Sequence, residues 1–150
     1  FVYATVKTSS KGVVLTFGDD KILSKDAPEA LKDYEGQEIV LGIRPEAFED
    51  SVYANKKEFS EELNIEVSLL EQLGSDTYIH FYKDINPVQT EAIEEILADE
   101  GEDISVLGTQ TKFIARINPN ATIDEGQNIN LAIDPTKLHY FNPETGLAIN

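Results

Sequence analysis

Few side chains in this sequence could do chemistry. Two histidines stand in strand-like, aromatic surroundings, His80 in TYIHF and His139 in KLHYF. A metal site would need further His or carboxylate ligands at suitable spacing, and none is visible, so both read as structural or surface residues. Cysteine is absent, which removes thiolate ligands, disulfides and cysteine nucleophiles and fits a reducing compartment. Ser75 has no G-x-S-x-G elbow around it and reads as a turn residue between Gly74 and Asp76. The adjacent acids Glu61-Glu62 and Glu94-Glu95 would point to opposite faces of a strand, or about 100° apart on a helix, so neither pair is an acid-base couple. Asp19-Asp20 lacks the D-x-D-x-D-G frame of a calcium loop and reads as a hairpin turn. No residue is assigned to catalysis, a cofactor or a metal. What remains is the stretch Leu41–Phe48, LGIRPEAF, which places Arg44 and Glu46 on either side of a proline after an apolar run.

The elements that must position these residues are mostly strands. Period-2 runs rich in Val, Ile, Phe and Tyr occur at Phe1–Thr8, Gly12–Phe17, Glu38–Ile43, Leu63–Leu70, Thr77–Tyr82, Lys112–Ile117 and Asn128–Ile133. Turn chemistry bounds them, as in Phe17-Gly18-Asp19-Asp20 and Gly74-Ser75-Asp76, and many short strands with glycine turns predict a barrel or sandwich. One segment breaks the pattern. Pro87–Glu100 spaces Val88, Ala92, Ile93, Ile96 and Leu97 as one helical stripe, with Asn86 as cap, Pro87 at the first helical position and Gly101 as terminator. Asp99 and Glu100 oppose the macrodipole at its carboxyl end, so that end is expected to fray. Glu102–Gly108 reads as a loop.

The chain has 150 residues, and 12 basic against 28 acidic side chains give 12 − 28 = −16. Such a field repels phosphate backbones and anionic headgroups, so nucleic acid is not an expected partner. The aromatic residues Tyr78, Phe81, Tyr82, Phe113, Tyr140 and Phe141 are explained by core packing rather than by base stacking. No apolar run reaches the roughly 18 residues of a membrane helix. A chain that opens on Phe1 and contains no methionine is expected to be an excised piece of a longer polypeptide.

A repeat separates architecture from the rest. Glu35–Pro45, EGQEIVLGIRP, matches Glu125–Pro135, EGQNINLAIDP, at seven of eleven positions. Each copy predicts a glycine turn, a strand with Ile, Leu and Ile on one buried face, and a proline that ends ladder pairing. The duplication suggests two related small barrel units. The residue before proline is Arg44 in one copy and Asp134 in the other, so opposite charges are tolerated there, and Arg44 is the candidate for a specific contact.

Taken together, VLGIRPEAF (40–48), EVSLLEQLGSDTYIHF (66–81), FIARINPNATIDEGQNINLAIDPTKLHYFNPETGLAI (113–149) and, more loosely, FVYATVKT make the chain resemble a known family. The family it resembles is the carboxyl-terminal regulatory domain of ATP-binding subunits of maltose-type ABC sugar importers, which contains the transport-associated OB (TOBE) module. The resemblance implies a mainly β fold of OB-like barrels, here two related units with one inserted surface helix around Pro87–Glu100, and residues 1–150 as one regulatory domain. It implies a non-catalytic, dimer-supporting role beside a nucleotide-binding domain. The G-x-x-x-x-G-K-[ST] loop of such a domain is absent from these residues, so ATP and Mg²⁺ are expected only in that other domain and no cofactor here. The implied partners are a second ATPase subunit, as homodimer or pseudo-symmetric heterodimer, and membrane-spanning permease subunits, at the inner face of the cell membrane. Candidate interface or regulatory residues are Arg44, Glu46, Gly74, Ser75, Asp76 and Asp134. The helical segment between Tyr82 and Thr111 departs from the family's short loop and has no role implied by it. The alternative is a small-ligand or oxyanion-binding module using Arg44, Lys112 and turn amides, which the negative charge opposes.

Overall fold

The computed structural model describes residues 1–89, 91–99 and 108–150; the expected stop at Gly101 and the expected loop up to residue 107 lie outside them. The strands are β1 (Val2–Ser9), β2 (Gly12–Phe17), β3 (Asp20–Ser24), β4 (Glu38–Ile43), β5 (Phe48–Asp50), β6 (Glu61–Glu66), β7 (Leu69–Leu73), β8 (Asp76–Lys83), β9 (Thr111–Ile117), β10 (Asn128–Ile133) and β11 (Leu138–Phe141). A helix, α1 (Glu91–Asp99), lies between β8 and β9. The protein is mainly β, as the periodicity predicts, and its strands form open sheets without closing into complete barrels. Among the described residues no helix is long and apolar enough to cross a membrane. The chain divides into two compact units.

The first unit comprises Phe1–Gly42, Asp84–Thr111 and His139–Asn150. Its sheet runs β11-β4-β1-β2-β3, with β1 antiparallel to both β2 and β4. Alternation places Val2, Ala4 and Val6 on the same inner side as Val13, Leu15, Phe17 and Ile22, all essentially buried. The β2–β3 hairpin closes from Phe17 to Asp20 around Gly18, whose φ of +55° a residue with a Cβ rarely adopts. Asp19-Asp20 is thus the hairpin turn expected. β4 is buried on both faces. Ile39 and Leu41 face one side, and Val40 packs on the other with Val88, Phe1, Tyr3 and Phe141.

That second layer accounts for a difference from the sequence reading. The helix begins at Glu91, not Pro87, so Asn86 is not its cap and Val88 is not on its stripe. Pro87 and Val88 are buried in the preceding segment, and Val88 packs on the β4 face. Thr111 Oγ1 donates to the Ile85 carbonyl at 2.7 Å and Gln110 Nε2 to Asp84 Oδ1 at 2.7 Å, tying the segment at its start. Burying a valine side chain is worth about 1.5–3 kcal/mol, more than the few tenths a further helical residue offers. Tertiary packing therefore overrides the helical spacing. Glu91, Glu94, Glu95 and Asp99 are exposed, as a surface helix requires.

The second unit comprises Ile43–Lys83 and Lys112–Leu138 and holds two three-stranded sheets, β5-β10-β6 and β7-β8-β9. Its core is aromatic at the centre. Phe48 meets Phe81 edge-on at 5.8 Å, and Phe81 stacks on Phe113 at 5.2 Å, geometries that suit the ring quadrupoles. The sequence predicts one strand over Leu63–Leu70, whereas the structure divides it after Glu66. Val67 still exchanges hydrogen bonds with the turn before β10, through Gln127 O and Gly126 N, while Ser68 N already donates to His80 O in β8. The chain changes partner at that corner, and one continuous strand could not serve both sheets.

Candidate functional site

The repeat is built twice from the same hydrogen bonds. Gly36 (φ +74°) donates to Val6 O and Gln37 O accepts from Val6 N; Gly126 (φ +83°) donates to Val67 O and Gln127 O accepts from Val67 N. The Glu35 carboxylate accepts the Thr8 amide in one copy, and Glu125 accepts the Leu70 amide in the other. The hydrogen bonds from Thr8 hold the Glu35 carboxyl below its ordinary value. After each strand the proline opens a short 3₁₀ turn, Pro45–Ala47 or Pro135–Lys137, which leads into a further strand. Those further strands are exchanged: β5 follows β4 but pairs with β10, and β11 follows β10 but stands beside β4.

At these two joints the paired positions behave differently. Asp134 is 3% exposed and caps its turn, accepting from Thr136 N at 3.0 Å and Thr136 Oγ1 at 2.6 Å, with Lys137 Nζ at 3.6 Å from its second oxygen. Arg44 begins the other turn with no side-chain cap; its carbonyl accepts from Ala47 N at 2.9 Å, but its exposed side chain makes no hydrogen bond or ion pair among the described residues. The Asp134 side chain is therefore committed to the fold, and the Arg44 side chain is not.

A hollow of about 400 Å³ lies wholly within the second unit. Both proline turns contribute, through Glu46 and Lys137; β5 gives Phe48 and Glu49, β8 gives Asp76, β9 gives Arg116 and Ile117, and loops give Phe59 and Pro119. Two of its charges are engaged. Glu49 Oε1 accepts from Asn118 N at 2.7 Å and Asp50 N at 2.9 Å, and Lys137 sits by Asp134 with its ammonium 5.7 Å from the centre of the Phe59 ring. Glu46, Asp76 and Arg116 make no side-chain hydrogen bond or ion pair among the described residues.

Of the residues singled out from sequence, Glu46 and Asp76 meet in this hollow, and Asp134 stands behind it through Lys137. Gly74 and Ser75 are the exposed two-residue loop joining Leu73 to Asp76, with Gly74 at φ +66°. Lys112 is half-buried on β9 and does not line the hollow. His80 is buried beside Glu71, its Nε2 at 3.5 Å from the carboxylate and without a hydrogen bond, and His139 is exposed on β11. Among the described residues no group of acidic and imidazole side chains could hold a metal ion. Sequence reasoning missed Arg116, Lys137 and Phe59. A signal was present for Lys137, which stands two residues after Pro135 in the copy equivalent to Pro45 and Ala47.

These features define a mainly β chain of two compact units, consistent with OB-like barrels. Residues 1–48 match the family described as MalK OB fold domain. Over 137 residues the chain is 26% identical to the trehalose import ATP-binding protein SugC of Mycobacterium tuberculosis, covering 90% of this chain and 34% of that protein. It is 25% identical over 144 residues to the oligosaccharides import ATP-binding protein MsmX of Bacillus subtilis, covering 96% and 31%. Against the trehalose/maltose import ATP-binding protein MalK of Thermococcus litoralis it is 27% identical over 137 residues, covering 89% and 30%. The chain is thus similar along nearly its whole length to ATP-binding proteins of sugar importers, as the sequence motifs imply, and spans about a third of their length.

Proposed function

We propose that this chain is the non-catalytic, regulatory and dimer-supporting domain of the ATP-binding subunit of an ABC importer for carbohydrates. The observation that carries this reading is the extent of the similarity: relatives named as sugar-import ATP-binding proteins match 89–96% of the chain, more than either compact unit alone. The ATPase chemistry, with ATP and Mg²⁺, belongs in this reading to the two thirds of the relatives' length that the chain does not span, and its partners are a second ATPase subunit and membrane-spanning subunits. The domain's own contribution is conformational. A module that contacts its counterpart better in one state of the ATPase biases the opening and closing equilibrium by that difference in affinity. Arg44, exposed and uncommitted at a rigid proline joint, is the residue assigned to such a contact, with Glu46 and the Gly74-Ser75-Asp76 hairpin beside it in role. The test is the solution mass of the full polypeptide, with and without ATP. A dimer that Arg44→Ala weakens without loss of fold supports the reading; a monomer under every nucleotide condition overturns it.

A further inference from the structure

The hollow in the second unit includes Glu46 and Asp76, which the importer reading places at a contact, but its lining as a whole has a chemistry that reading does not require. Its volume of about 400 Å³ falls inside the range of about 300–1,000 Å³ typical of small-molecule sites. Once the amides on Glu49 and the Asp134 partner of Lys137 are set aside, the uncommitted groups are two carboxylates, Glu46 and Asp76, and one guanidinium, Arg116. Arg116 and Pro119 are exposed and Phe59 is half-buried, so the walls present apolar surface beside free charges.

The mixture of signs selects the ligand. An oxyanion would meet Glu46 and Asp76, and a compact polycation would meet Arg116 and Lys137. Either would leave opposite groups repelling it. A neutral molecule dense in hydroxyls suits both: its O–H groups donate to the carboxylates, and its oxygens accept from the guanidinium, whose planar fork can hold two neighbouring hydroxyls at once. The apolar C–H face of such a ring would lie on Phe59 and Pro119. We propose that this hollow binds a neutral polyol of sugar-like chemistry, with Glu46, Asp76 and Arg116 as its hydrogen-bonding residues. The proposal goes beyond the importer reading and does not depend on it, since the hollow's lining alone carries the argument.

The test is saturation-transfer NMR on the full polypeptide, titrated with glucose, maltose, trehalose and myo-inositol, and with sulfate and spermidine as charged alternatives. At least one neutral polyol is expected to bind. Asp76→Asn and Arg116→Gln, made separately so that a folding defect in one leaves the other informative, should each weaken it about tenfold or more, as loss of a charged hydrogen bond does. Lys21→Ala, on the exposed side of β3 in the first unit, should leave it unchanged. The proposal is overturned if no neutral polyol binds, if only sulfate or spermidine binds, or if polyol binding survives both substitutions. None of these results depends on dimerisation, so failure here is distinct from failure of the importer reading.

Discussion

Replacing the residue before the proline in each copy of the repeat should separate a side chain that builds the fold from one that does not. Asp134→Ala removes the carboxylate that caps the Pro135–Lys137 turn. The lost cap is worth about 0.5–2 kcal/mol, and the Thr136 hydroxyl, which loses a 2.6 Å partner, adds about 0.5–1 kcal/mol. Lys137 adds little, because its side chain is 47% exposed at 3.6 Å and solvent screens the pair. The expected destabilisation is about 1–3 kcal/mol. Arg44→Ala touches no partner among the described residues and should stay within about 0.5 kcal/mol of the parent. Urea unfolding of the 150-residue chain, followed by tyrosine fluorescence and by circular dichroism, measures both. Equal effects, or a larger one at Arg44, would refute the assignment of Asp134 to architecture and of Arg44 to contact.

Three further outcomes follow from the same structure. Gly126→Ala forces a Cβ into a φ of +83° where nothing lies within 4 Å, so the cost is backbone alone, about 1–2 kcal/mol in denaturant unfolding; no change would mean the turn relaxes. Val88→Ala should lower stability by about 1 kcal/mol or more and leave α1 intact by circular dichroism, whereas loss of helix signal would show that Val88 belongs to the helix after all. Glu35 is held below its ordinary value of 4.5 by the Thr8 hydrogen bonds, so its stabilisation is complete above that value and fades as pH falls through the lower folded one. The stability gap between the parent and Glu35→Gln should therefore be present at pH 7 and close under acid; a gap independent of pH contradicts this origin.

Strand identity was legible because runs rich in Val, Ile, Leu and Phe alternate in the sequence, although β4 and the end of β10 are buried on both faces. Gly12–Phe17, Glu38–Ile43 and Asn128–Ile133 are strands with the bounds their alternation indicates. Helical spacing was less reliable: Val88 fits the stripe of α1 yet is used as an extended anchor on Val40, a preference set by a strand far away in sequence. Short elements such as β3 and β5 carry too few residues for a period to show, and β5 pairs with β10, a strand distant in sequence. The repeat was visible as identities, but the exchange of the strands after each proline was not, since pairing partners leave no local mark. The candidate site was half legible. Glu46, Asp76, Arg116 and Lys137 all stand in the family-like motifs and Phe59 in none, but these are separate segments whose convergence only the fold supplies.

The most direct measurement is isolation of the full polypeptide from native membranes after mild detergent extraction, followed by the mass and composition of the complex. The account predicts co-isolation with multi-spanning membrane subunits and an ATPase dimer, with ATP-dependent carbohydrate uptake lost when the polypeptide is deleted. Recovery of the polypeptide solely as a monomer free of membrane partners, with uptake unaffected by its deletion, would contradict it.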